Sequence, residues 1–108
     1  MGWATKHIEN LKAGKTVTFR PRGNSMTPRI KSGELCTVAP VKSSDGLLLL
    51  LLSVGDIVLC RVHGNEYLHL IKAIQKEGKR FQIGNNKGKI NGWIGPNGIF
   101  GKLEKVEE

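Results

Sequence analysis

A serine set between a Gly-Asn pair and a Met-Thr-Pro turn is the feature of this 108-residue chain best suited to chemistry. Residues 23–31 allow the backbone to curve sharply around Ser25 and to leave amide N–H groups unpaired, a setting that suits a hydroxyl nucleophile. Ser-Met-Thr-Pro taken alone also fits a turn capped by its hydroxyl, with no further role. A second segment of interest is Tyr67-Leu68-His69-Leu70-Ile71-Lys72-Ala73-Ile74. Read as a strand, it sends Tyr67, His69, Ile71 and Ala73 to one side and Leu68, Leu70, Lys72 and Ile74 to the other, so one polar residue falls on each apolar face. In isolation, His69 reads as a core or half-buried histidine bonded to a backbone carbonyl.

The order Gly23-x-Ser25-Met26-x-Pro28-x-Ile30-x-x-Gly33-Glu34 resembles the nucleophile segment of the LexA/UmuD and signal peptidase superfamily. Gly55-Asp56-Ile57-Val58 is similar to the Gly-Asp-x-Val box that follows it there, and Ile99-Phe100-Gly101-Lys102-Leu103 to the closing strand. The resemblance spans residues 16–106. It implies that Ser25 attacks a peptide carbonyl and that backbone N–H groups near Asn24 and Ser25 hold the oxyanion. Leu68-His69-Leu70-Ile71 resembles the strand carrying the general base in the histidine branch, with Leu70 in place of the usual Arg. His69 is then the base and Lys72 the alternative. A neutral imidazole accepts a serine proton near pH 7 without the desolvation a lysine needs. Gly84-Asn85-Asn86 resembles the Gly-Asp-Asn-Asn box, which makes Asn85 and Asn86 candidates for supporting polar groups, although both also suit left-handed turn positions. Gly84 stands where the family has Asp, and Asn91 lies near a second expected Asp. An Asp would orient and stabilise a protonated histidine, so its replacement puts the strength of catalysis in doubt.

Composition narrows the setting. The length favours one domain over residues 1–108 with a single modest core. Seventeen basic against nine acidic residues give a net charge of +8. That excess suits nucleic acid, an anionic surface or an acidic protein. Arg20, Arg22, Arg29 and Lys31 crowd the Ser25 turn, and Lys87 and Lys89 lie in a basic, glycine-rich stretch with Trp93. These six residues are the candidate contacts for nucleic acid or an acidic partner. A solubilising rim, and a glycine-rich loop with a core-packing tryptophan, are the plainer readings. Cys36 and Cys60 sit inside apolar alternations and read as buried free thiols. No Cys/His spacing suits zinc, and no cofactor is called for. The first residues lack a signal-peptide apolar region and the leucine run at 47–52 is too short to span a bilayer, so no transmembrane segment is expected and the location expected is cytoplasmic.

These residues need elements to hold them. Residues 3–13 show helical spacing in Ala4, Ile8 and Leu11, with Gly14 as a stop, and His7 reads as a surface residue. Strands are expected over 16–20, 35–41, 56–63, 66–74, 79–84 and 99–106, with Gly64-Asn65 turning the central hairpin. The leucine run reads as buried. Its alternatives are a helical turn or an exposed patch through which the chain forms a homodimer. The fold expected is mostly β, a LexA/signal-peptidase-like coiled antiparallel domain with an N-terminal helical segment over 1–15 and a β core over 16–106.

The function expected from the resemblance is serine peptidase-like hydrolysis of a peptide bond through Ser25 and His69, on a peptide or protein substrate. Its own Ala13-Gly14 bond is one such substrate, being the small-small type that LexA-like proteins cut in themselves. The alternative is a weak or inactive relative used as a basic binding module.

Overall fold

The computed structural model describes residues 2–41, 52–75 and 79–108. It is mostly antiparallel β, with one short helix near the N-terminus. Helix α1 covers Thr5–Lys12, and its buried Ile8 and Leu11 dock on the sheet together with Ala4 just ahead of it. A helix of two turns is unstable alone, so this packing is what holds it. The strands are β1 (Val17–Phe19), β2 (Leu35–Pro40), β3 (Ile57–Val62), β4 (Asn65–Gln75), β5 (Arg80–Gly84), β6 (Ile90–Ile94) and β7 (Ile99–Glu107). They form one sheet in the order β1-β2-β7-β3-β4-β5-β6.

Strand β3 explains why this sheet is thick. Its alternation sends Ile57 and Leu59 into one apolar cluster and Val58, Cys60 and Val62 into another, so both of its faces are buried. The first cluster takes in the helix and the anchors of the Ser25 turn. The second lies under β4–β6 and includes Ile71, Phe81 and Ile83. Leu59 is fully buried at the centre, where truncation to Ala costs about 2–5 kcal/mol. Four ladders shift register, at Thr37/Val38, Leu59/Cys60, Ile71/Ala73 and Ile83/Gly84. Each shift bends and twists its strand, which coils the sheet.

Several expectations change in detail. The β3–β4 turn uses His63-Gly64 rather than Gly64-Asn65, since Val62 pairs with Asn65 and both turn residues have positive φ, 49° and 84°. That is the geometry a two-residue primed turn requires. The strict alternation of residues 67–74 breaks at the Ile71/Ala73 shift, which lets Ile71 and Ile74 pack on the same cluster. Residues 90–94, taken with the glycine-rich loop, form edge strand β6, and Trp93 on it is exposed rather than core-packing. Both cysteines are free and buried; desolvation pushes Cys36 up to about 11, with Glu34 adding to it, and Cys60 up to about 12. Of the leucine run only Leu52 is among the described residues, and it is buried. The expectations for residues 47–51 lie outside them. Among the described residues, no helix is long and apolar enough to cross a membrane.

Candidate active site

The Ser25 turn is anchored from both sides. Met26 and Ile30 insert into the first apolar cluster and are joined by an Ile30 N–H to Met26 carbonyl bond of 3.0 Å. Asn24 closes the turn, its carbonyl accepting from the Thr27 amide at 3.2 Å and from Thr27 Oγ1 at 2.9 Å. Ser32 Oγ accepts from the Gly23 amide at 3.1 Å, tying the entry of the turn to its exit. With its neighbours anchored inward, Ser25 remains at the surface. Its amide and that of Asn24 donate to no acceptor among the described residues.

Folding brings His69 to this hydroxyl across 44 positions of sequence. Ser25 Oγ lies 3.2 Å from His69 Nε2. The imidazole sits in β4 opposite Val58 of β3 and stacks on Tyr67, ring centroids 4.8 Å apart. It is buried, 7% exposed, which leaves it little freedom to turn away. Its other nitrogen, Nδ1, lies 2.7 Å from Asn91 Oδ1. An amide oxygen can only accept, so Nδ1 carries the proton and Nε2 is left with its lone pair toward the serine. Desolvation holds the His69 pKa below its usual value and the Lys89 charge adds to this, while the hydrogen bond that the ring donates to Asn91 works the other way. Burial thus favours the neutral ring.

The connection between β5 and β6 ties these groups together. Asn86 donates its backbone N–H to the Ser25 carbonyl at 2.9 Å and its side-chain Nδ2 to the Thr27 carbonyl at 2.9 Å. Asn85 is buried and serves the connection itself, its Oδ1 accepting the amides of Lys87 and Lys89 at 2.8 and 3.0 Å. Of the two, Asn86 supports the Ser25 turn and Asn85 shapes a loop. Gly84 leaves no room for the aspartate that the resemblance places there, because a Cβ would stand 2.5 Å from the Lys89 carbonyl oxygen. Asn91, one residue beyond the Gly84–Ile90 pairing, holds the histidine instead.

A cavity of about 650 Å³ opens at the pair, lined by Ser25, His69, Asn91, Tyr67, Met26 and Lys89 among others. Lys72 is not among its lining residues; the Lys72 stem runs beside Gly84. Of the basic candidates, Arg20, Arg22 and Lys89 line the cavity, whereas Arg29, Lys31 and Lys87 do not. Arg29 Nη1 donates to the Gly55 carbonyl at 3.2 Å. Ala13 and Gly14 also lie away from it, at the end of α1, where the Ala13 and Gly14 amides donate back into the helix.

Three residues at the cavity have no functional role in the sequence reading. His7, read as a surface residue, is half-buried and stacks on Phe19 at 4.6 Å. Trp3 meets the same ring at 5.4 Å and donates Nε1–H to the Glu66 carbonyl at 3.2 Å. Glu66 Oε1 accepts the Ala4 amide at 3.4 Å, and Oε2 pairs with Arg61 at 2.8 Å. The signal available for His7 was its spacing from Ala4, Ile8 and Leu11, which sets it at the border of the buried helix face. Among the described residues, no group of three or more His, Cys, Asp or Glu side chains is placed to hold a metal. No family model, curated protein or solved structure matches the chain.

Proposed function

We propose that this protein is a serine hydrolase of the LexA/signal peptidase type acting on peptide bonds, with Ser25 as nucleophile, His69 as general base and Asn91 as the residue that orients the imidazole. The observation that carries the reading is the continuous line from Ser25 Oγ to His69 Nε2, and from Nδ1 to Asn91 Oδ1, at 3.2 and 2.7 Å. A serine, a correctly tautomerised histidine and an orienting acceptor are the parts that activated hydroxyl chemistry needs. In the first half-reaction the Ser25 oxygen bonds to the substrate carbonyl carbon as its proton passes to Nε2. The free amides of Asn24 and Ser25 take the developing oxyanion. His69 then returns the proton to the leaving amine as the C–N bond breaks. Water, deprotonated by the same nitrogen, releases the acyl group and restores Ser25.

Asn91 supplies orientation without charge. The imidazolium formed midway is held by a dipole rather than by a carboxylate, so turnover is expected to be slower than with an aspartate at that point. Incubation with a small uncharged fluorophosphonate, followed by peptide mass mapping, tests the proposal. Modification of Ser25 that disappears in His69→Ala is the expected result; an unmodified Ser25 in the folded wild-type protein rejects it.

A second reading rests on the exposure of Arg20, Arg22, Arg29, Lys31, Lys87 and Lys89. They would make the domain a basic module for nucleic acid or an acidic protein. Binding of generic duplex DNA that weakens with salt and survives Ser25→Ala would favour it.

A further inference from the structure

We propose that the Ser25 cavity selects peptides that carry an acidic residue next to an apolar one, the carboxylate being gripped by Arg22, Lys89 and Arg20. The fate of the bound peptide rests on the hydrolase reading above; its selection does not. The permanent charges lining the cavity are Arg20, Arg22, Lys89 and Glu66. Glu66 is already spent, because its carboxylate is 5% exposed, pairs with Arg61 at 2.8 Å and accepts the Ala4 amide. What remains for a ligand is cationic. Arg20 donates one Nη1–H to the Gly33 carbonyl at 2.8 Å, which positions its guanidinium and leaves its other N–H donors for a carboxylate. Arg22 and Lys89 are exposed. The Lys89 charge reaches the reacting groups, since it acts on His69.

The rest of the wall is apolar, with Trp3, Phe19, Met26, Ile30 and Leu68 facing the same space. Apolar walls with a few placed charges are the usual make-up of a selective pocket. A peptide fits this wall better than single-stranded nucleic acid does. His7 stacks on Phe19 at 4.6 Å and Trp3 packs tilted against it at 5.4 Å, so the phenylalanine ring is engaged by neighbours rather than standing free for base stacking.

Binding is read in the Ser25→Ala protein, by fluorescence anisotropy of labelled pentapeptides Ala-Ala-Phe-Asp-Ala and Ala-Ala-Phe-Lys-Ala, with a thymidine oligonucleotide as competitor. The Asp peptide is expected to bind about tenfold more tightly than the Lys peptide, as one or two charge-assisted contacts at a partly open rim would give. The ratio should shrink as salt is raised. Arg22→Glu with Lys89→Glu should bring it to one or invert it, with folding checked by circular dichroism. Equal binding of the two peptides, or binding of the oligonucleotide alone, overturns the proposal. Selectivity for Asp in a protein whose Ser25 resists the fluorophosphonate would uphold the recognition and reject hydrolysis; a reactive Ser25 without selectivity would do the reverse.

Discussion

Two walls meet at the Ser25 cavity and are attached to it in different ways. The β5–β6 connection is wired to the reacting groups by directed bonds, Asn91 to the His69 ring and Asn86 to the Ser25 and Thr27 carbonyls. The N-terminal segment, with Trp3 and His7, is fixed by ring contacts on Phe19 and by bonds to Glu66. Neither of the bonds that Trp3 and Ala4 make to Glu66 reaches Ser25 or His69. Hydrogen bonds fix angle and tautomer, whereas aromatic packing fixes a surface and a volume. On the proposed hydrolase reading, the first wall would govern the rate of the chemical step and the second would govern what enters.

The largest expected effect tests the first wall at its shortest bond. Asn91→Ala removes the acceptor for Nδ1–H and frees the ring to change tautomer, which should lower the rate of Ser25 acylation by about a hundredfold or more. Asn91→Asp sharpens the point through pH. Burial favours the neutral ring, so the wild-type rate should rise with pH through a value below 6.5 and be level by pH 7. A carboxylate beside Nδ1 favours the imidazolium, raises that pKa and moves the acid limb to higher pH. Stability follows the same sign. The neutral-ring preference contributes fully above 6.5 and fades as pH falls toward the lowered folded value, because the unfolded chain then binds the proton more readily. Rate profiles of the two proteins that superimpose would remove His69 from the role of base.

A smaller effect is expected at Asn86. Asn86→Ala deletes the bond to the Thr27 carbonyl but keeps the backbone N–H bond to the Ser25 carbonyl, so the turn is loosened rather than released. Acylation should slow by about tenfold, since small misplacements of a reacting group weigh heavily on rate, and thermal stability should fall by about 1 kcal/mol. Asn86→Ala that melts early yet reacts at the wild-type rate would show that the connection supports the fold alone.

Sequence carried the wired wall further than the packed one, and the reason is physical. Ser25, Met26 and Ile30 announce themselves because a turn with two apolar anchors needs particular residues at fixed spacing. His69 could be placed on a strand by its period of two. What period could not supply was register. The shift at Ile83/Gly84 helps decide which residue of β6 meets the ring, and it leaves no mark beyond a glycine followed by asparagines, which also suit turns; the shift at Ile71/Ala73 leaves none. Strand β6 reads as a loop in the sequence because its surroundings are glycine-rich; its pairing with β5 overrides that preference. His63, too, adopts a positive φ that a Gly64-Asn65 turn would have spared it. The aromatic cluster was illegible for a different reason. Trp3 and His7 belong to the N-terminal segment and Phe19 to β1, and only docking of α1 brings them together.

The smallest expected effect lies in that cluster and is the one that separates the walls. Trp3→Ala removes an exposed ring and its bond to the Glu66 carbonyl while leaving Ala4, Ile8 and Leu11 to hold the helix. With the phenylalanine-aspartate peptide as substrate, KM should rise about threefold to tenfold, the worth of one partly buried aromatic contact, and kcat should stay within about twofold. A matching fall in kcat would mean that the helix steers the Ser25 turn through Phe19 and the strand that precedes it. The two walls would then be one mechanical unit, and recognition in this domain would be inseparable from its chemistry.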